Sequence, residues 1–211
     1  MKDLLTYFLY TFMSIFTIVN PLGTLPVYAA FTDSVKREQA VRVARTASLV
    51  AFILMVLFAL TGQFLFNFFS ISIDGLRVVG GVLLFLTGYD MLQGKNSRTK
   101  ILSKAEQLEI EEFAITPLAI PMICGPGAIT VVIVLIQEAN SLVHKSILFS
   151  NIALVCFANF LFLIGSKRIL SLLGNSGNKV FFRLMGLIIM MIAVEYFFRG
   201  LTPYVQKIIR G

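Results

Sequence analysis

The stretch VNPLGTLPV, Val19–Val27, places an asparagine, two prolines and a glycine inside an apolar run that begins near Leu4. A second stretch, ICGPGAIT, Ile123–Thr130, interrupts a later apolar run in the same manner. Proline lacks the amide hydrogen that an interior helical residue donates, and glycine tolerates backbone angles that other residues avoid. Each stretch therefore reads as a break in a helix. What such a break means depends on the solvent around it.

Composition identifies that solvent. The chain is 57% hydrophobic and 14% charged, with a mean hydropathy of +0.87, whereas a soluble domain carries about 25% charged residues. Its apolar blocks repeatedly exceed the ~18 residues that mark a membrane-crossing helix. The expected fold is all-α and polytopic, with six transmembrane helices. These run from about Leu4 to Phe31, Ala44 to Phe69, Ile73 to Leu92, Phe113 to Gln137, Ser146 to Ser166 and Val180 to Leu201. The N-terminal MKDLLTYFLYTFMSIF has one lysine and no small-residue cleavage site, so it reads as a retained first helix. Cys124 and Cys156 both fall in apolar segments and read as buried, reduced thiols.

A net charge of +7 could suggest a nucleic-acid partner, but the basic residues sit mostly in short loops. Twelve of the eighteen Lys and Arg residues follow the first, third and fifth spans, among them Arg37, Arg42, Arg98, Lys104, Lys167 and Arg183. The positive-inside rule then assigns these loops to the cytoplasm and both termini to the outside. The bilayer is the expected partner and no nucleic acid is expected. The longest loop, 95–112, contains Ser103 and Glu106 at capping-box spacing, which predicts a short amphipathic surface helix over Ser103–Phe113.

The two halves of the chain resemble each other. Arg77 and Arg183, Gly80 and Gly186, Gly94 and Gly200, and Thr24 and Thr130 all lie 106 residues apart, and Pro21 and Pro126 lie 105 apart. Two three-helix units, about 1–94 and 113–211, would enter the membrane from opposite faces. That is an inverted-topology repeat with broken first and fourth helices, a plan common among secondary transporters.

In hydrocarbon an unpaired backbone N–H or C=O costs several kcal/mol, so a break must be buried against protein or water. Asn20 lies roughly 24 Å along the first span and Gly125 roughly 18 Å along the fourth, at ~1.5 Å per residue. Asn20 is a favoured N-cap and Pro21 suits the first helical position, and Gly125 and Pro126 repeat the pattern. Each break would start a half-helix whose free N–H groups and dipole favour an anionic group such as a carboxylate. The candidate substrate-binding residues are Asn20, Pro21, Gly23, Thr24, Gly125, Pro126, Gly127, Ala128 and Thr130. No Lys, Arg, Asp or Glu lies within five residues of either break, which suits a net-neutral zwitterion.

Other residues flank this site. Pro26 and Pro121 are candidates for gating, and Thr116-Pro117 reads as a further cap and first turn. Glu195, deep in the sixth span, is a candidate proton carrier, although pairing with Arg199 at i+4 is the preferred reading. Asn151 and Asn159 would either line a cavity or join helices. No metal site and no cofactor are expected beyond a coupling ion, H+ or Na+.

The stretches NPLGTLPVYAAFT, Asn20–Thr32, and PLAIPMICGPGAIT, Pro117–Thr130, resemble the signature regions of the MarC family of six-helix bacterial and archaeal membrane proteins. The resemblance covers nearly the whole chain. It implies a transporter-type fold in the cytoplasmic membrane of a prokaryote, moving small neutral amino acids such as alanine or glycine, with export the expected direction. Two rivals differ in class. A membrane thiol-relay protein needs a cysteine at each break, but Val19 or Ile18 stands where the counterpart of Cys124 would be. A structural or partner-binding membrane protein would have kinks without a cavity. There is no G-x-S-x-G and no H-E-x-x-H, and His144 is in an outer loop, so no enzyme is expected.

Overall fold

The computed structural model describes residues 2–33, 35–68, 70, 72–93 and 110–210. All the regular structure among them is helical. We label the helices α1 (Lys2–Val19), α2 (Pro21–Thr32), α3 (Arg37–Phe68), α4 (Ile73–Gln93), α5 (Ile110–Ile123), α6 (Pro126–Glu138), α7 (Leu142–Ile164) and α8 (Ser166–Arg210). Among the described residues five segments are long and apolar enough to cross a membrane, and α5 with α6 makes a sixth when that bent pair is counted as one span. α1 and α2 together make the first span. Apart from its Ile110–Phe113 end, the expected amphipathic helix over Ser103–Phe113 lies outside the described residues, as does Gly94.

The ends of these helices follow local chemistry. Ser141 caps α7 by accepting a bond from the His144 N–H at 3.2 Å, so this span starts before the expected Ser146. Gly174, at φ 64°, interrupts α8 and separates a short inner segment from the sixth span. The sixth span also continues past the expected end at Leu201, through Pro203 to Arg210. A proline near an exposed helix end forfeits one backbone bond where water can replace it. The extension is anchored as well, because the Tyr204 hydroxyl meets the Ser72 Oγ at the start of α4.

Alternation of the six spans puts both ends of the described chain on one face. Tyr7 packs edge-on against His144 at that face, 4.5 Å between ring centroids, and Arg77 pairs with Glu138 there. At the opposite face Lys167 reaches Asp33 at 3.0 Å and Arg42 reaches Glu111 at 3.7 Å. All four of the latter side chains are well exposed, so these pairs contribute little to stability.

Packing divides the spans into two bodies. The main buried core draws on α1, α2, α3, α5, α6 and α7, the four spans one, two, four and five. No buried residue of α4 or of the sixth span belongs to it. Leu84, Ile189 and Ala193 form a small second cluster where α4 meets α8. The four-span body is tied by buried asparagines. Asn151 Nδ2 donates to the Phe8 carbonyl at 2.9 Å and to Thr11 Oγ1 at 2.6 Å, joining α7 to α1. Asn159 Nδ2 donates to Ser48 Oγ at 3.3 Å, joining α7 to α3. Of the two readings of these asparagines, helix joining is the one the geometry realises.

The two-span body is held by glycines that let backbones touch. A Cβ on Gly88 would lie 2.6 Å from the Gly186 carbonyl oxygen, and a Cβ on Gly186 would lie 2.6 Å from that of Gly88. Gly81 approaches the Ala193 carbonyl oxygen in the same way at 2.8 Å. Gly81 and Gly186 are 105 residues apart, as are Gly88 and Ala193, so one contact maps onto the other under exchange of the halves. Gly80 and Gly186, the pair at 106, have different surroundings: Gly80 faces Thr130 of α6 and Gly186 faces α4. One residue of offset turns a helix by about 100°, enough to change the neighbour.

Gly88→Val should therefore force α4 and α8 apart at a point where the obstacle is backbone. We expect a loss of about 1–3 kcal/mol in unfolding free energy, measured by denaturant titration in detergent. Gly165→Ala, where an added Cβ has 3.3 Å to its nearest neighbour, should be much milder.

Candidate functional site

The first break is a single residue. Asn20 adopts the left-handed conformation, φ 48° and ψ 65°, which asparagine tolerates better than most residues. Its own N–H still completes α1 by donating to the Phe16 carbonyl at 3.0 Å. Its side-chain Oδ1 accepts from the Gly23 N–H at 3.2 Å, and Pro21 occupies the first position of α2. Asn20 thus caps α2 as its residue type and position predict. Gly23 leaves room for this cap, since a Cβ there would collide with the Asn20 amide.

The second break is wider. Gly125 is extended, φ −86° and ψ 177°, and offers no side-chain cap. α5 and α6 meet across it at 57°. The turn that precedes it is irregular. Thr116 and Ile120 have extended angles, and the Thr116-Pro117 and Ile120-Pro121 peptide bonds are cis. Thr116-Pro117 is therefore not the cap and first turn of a regular helix. Each extended residue precedes a proline, whose ring crowds the α region for its predecessor. The Cys124 N–H closes the segment by donating to the Ala119 carbonyl at 2.8 Å. The two breaks share a plan, cap then proline, but differ in size because only Asn20 carries a capping side chain.

The half-helices then begin alike. Thr24 Oγ1 donates to the Pro21 carbonyl at 2.8 Å, and Thr130 Oγ1 donates to the Pro126 carbonyl at 2.8 Å. Both hydroxyls are buried. α1 packs beside α6 and α2 beside α5, so the broken spans run antiparallel with their interruptions abreast. At the end of these spans near Asp33, Phe31 stacks on Phe113, with centroids 3.6 Å apart and planes within 9°.

Both breaks face α4 across the seam between the two bodies. Asn20 Nδ2 points to the Met91 thioether sulfur at 3.7 Å. Gly127 packs against the end of the Leu84 side chain, with Ile18 of α1 beside it. Thr130 packs against Gly80. Among the predicted residues, the seam brings together Asn20, Gly127 and Thr130, with Pro21, Thr24 and Ala128 buried near them. Pro121 and Pro126 are exposed, and Gly125 is partly so. Pro26 lies within α2. Glu195 is not a buried carboxylate: its Oε1 accepts from Arg199 Nε at 2.9 Å and both side chains are more than half exposed.

Sequence reading missed two features of this region. One is α4 as the opposite wall of the breaks. The pair Gly80-Gly81 with Gly88 on one helix was its trace, since small residues at helical spacing permit close approach. The other is a cleft at the end of the seam that carries the Arg77–Glu138 pair, lined by Tyr10, Arg77, Val134, Glu138, Tyr196 and Arg199. Arg77 spans it, with Nη1 on Asp74 at 3.2 Å and Nη2 on Glu138 at 2.9 Å. Cys124 and Cys156 are buried, unbridged thiols. Among the described residues no group of three or more His, Cys, Asp or Glu side chains could hold a metal ion.

Five or six apolar candidate spans among the described residues, exposed apolar surfaces and interior helix breaks define a multi-pass integral membrane protein of the all-α class. The chain belongs to the MarC family: the model described as MarC family integral membrane protein matches residues 5–205. It is similar to a UPF0056 membrane protein of Methanocaldococcus jannaschii, 34% identical over 98% of this chain and 91% of the relative. A second such protein of that organism is 36% identical over 93% of this chain and 97% of the relative. One of Bacillus subtilis is 34% identical over 93% and 94%. The relatives are thus both archaeal and bacterial, and their names state membrane residence alone. No solved structure matches.

The break geometry sets an order of sensitivity. An added methyl on Gly125 would strike the Pro121 carbonyl oxygen, which is backbone, whereas one on Gly127 would strike the flexible end of Leu84. Gly125→Ala should cost about 1–3 kcal/mol, and trimming neighbours should not relieve it. The Gly127→Ala defect should be largely relieved by Leu84→Ala, read as a double-mutant cycle in unfolding free energy.

Proposed function

We propose that this protein is a secondary transporter of small neutral amino acids, alanine- or glycine-like, working by alternating access along the seam between the four-span body and the α4/α8 pair. The observation that carries the reading is that both helix breaks open onto this one seam, opposite Gly80, Leu84 and Met91 of α4. A helix break at membrane depth is tolerated where it lines a cavity or is buried in protein. Two of them, abreast on one interface, bring helix ends of both dipole signs toward a zwitterion. The N–H groups that begin α2 and α6 suit its carboxylate. Carbonyls ending α1 and α5 suit its ammonium. Close-packed glycines limit the side chain that can follow.

The reciprocal Gly81–Ala193 and Gly88–Gly186 contacts support an inverted repeat at an offset of 105. An inverted repeat gives a transporter two related ways to part its bodies, one toward each face. The basic loops after spans one, three and five support a cytoplasmic position for that face, with both termini outside. H+ or Na+ would be the coupling ion, and the chemistry is translocation without a covalent step.

Counterflow tests this reading. Purified protein in liposomes preloaded with alanine or glycine should accumulate the labelled amino acid, with and without an imposed proton gradient. Asn20→Ala should abolish exchange while the protein still inserts and folds. Replacing Cys124 and Cys156 together by alanine should leave exchange largely intact. Absence of exchange by the unmodified protein across a panel of small amino acids would favour a structural or partner-binding role. Wild-type kinetics in Asn20→Ala would move the substrate site away from the breaks.

A further inference from the structure

The cleft at the Arg77–Glu138 end of the seam has a chemistry of its own. Its six lining residues come from four helices: Tyr10 from α1, Arg77 from α4, Val134 and Glu138 from α6, and Tyr196 and Arg199 from α8. It is a mouth of the seam, because α4 and α8 belong to one body and α1 and α6 to the other. The bond that crosses it is the Arg77–Glu138 ion pair at 2.9 Å. Arg77 is 23% exposed and Glu138 41% exposed, so both charges are partly withdrawn from water.

We propose that this cleft is a loading site for a zwitterionic amino acid, with Arg77 taking the carboxylate and Glu138 the ammonium. The inference rests on the transport reading above for its biological sense, but its physical basis is separate. A guanidinium has five N–H donors in a planar fork that matches a carboxylate. Asp74 and Glu138 account for two of the Arg77 bonds. Parting Arg77 from Glu138 leaves Arg77 with Asp74 alone and removes from Glu138 the cation that it meets at 2.9 Å. A singly charged ion replaces the lost partner of only one of the two. A molecule carrying both charges on one carbon satisfies both sides at once. Tyr10 and Tyr196 complete the lining of the cleft, and aromatic side chains near an ammonium are favourable company.

The same exchange links binding to motion. The ion pair joins α4 to α6, and so joins the two bodies at one end. A zwitterion seated between Arg77 and Glu138 replaces a direct bond by a bridged one. The mouth of the seam loosens when, and only when, the right class of ligand is there to hold it.

Equilibrium binding of radiolabelled alanine to the purified protein in nanodiscs tests the proposal. Arg77→Gln and Glu138→Gln should each weaken binding by about ten-fold or more. Propionate and ethylamine, each lacking one charge, should compete poorly against alanine and glycine. Unchanged affinity in both charge variants overturns the proposal, as does equal competition by the singly charged compounds or no binding by the unmodified protein at millimolar alanine. A second measurement alters neither charge. In Tyr10→Cys, with both native cysteines buried, alanine should slow maleimide labelling of the new thiol, and propionate should not. Lack of protection by alanine would likewise overturn the site. Binding with these dependences but no exchange in liposomes would reject the transport reading and leave the cleft standing.

Discussion

Everything in this fold follows from the rule that a backbone polar group in hydrocarbon must find a partner within the protein. Six spans can satisfy it with unbroken helices. This chain breaks two of them, and the rest of the architecture accommodates that choice. Asn20 repairs its own break by lending a side-chain oxygen to the Gly23 N–H. The second break has no such side chain and is closed by a wider backbone turn from Cys124 to Ala119. Both interruptions then lie against α4.

The division into two bodies is the second consequence. Four spans share one continuous core with buried asparagines as cross-links. The α4/α8 pair is joined by backbone-to-backbone glycine contacts and has only a small core of its own. Between the bodies there are small residues, a thioether and, at one end, an ion pair. Apolar side chains cross it as well, with Ile18 packed on the Leu84 cluster and Leu76 and Tyr196 packed on the main core.

Much of this was legible in the sequence because it is local. Span lengths come from hydropathy, and the cap at Asn20 comes from residue type at a helix start, whereas the cap at Ser141, five residues before the expected start at Ser146, was not read. The i+4 spacing of Glu195 and Arg199 was enough to favour the bond that forms. What was not legible is tertiary. Nothing in the order of residues says that Gly80 will face Thr130 while Gly186 faces Gly88, since a one-residue change of offset rotates a side chain to another neighbour. The extended Thr116 and Ile120 arise from two prolines acting on a segment whose apolar run reads as helix. The cleft depends on Arg77 and Glu138, which lie 61 positions apart and meet only after folding.

The threonines that open the two half-helices have a further electrical effect. Each directs its one hydroxyl hydrogen at the carbonyl of the proline that starts its helix. What remains on the outward side of each oxygen is lone-pair density alone. Alongside the positive ends of α2 and α6, these oxygens place partial charges of both signs at the two breaks, where no Lys, Arg, Asp or Glu lies within five residues.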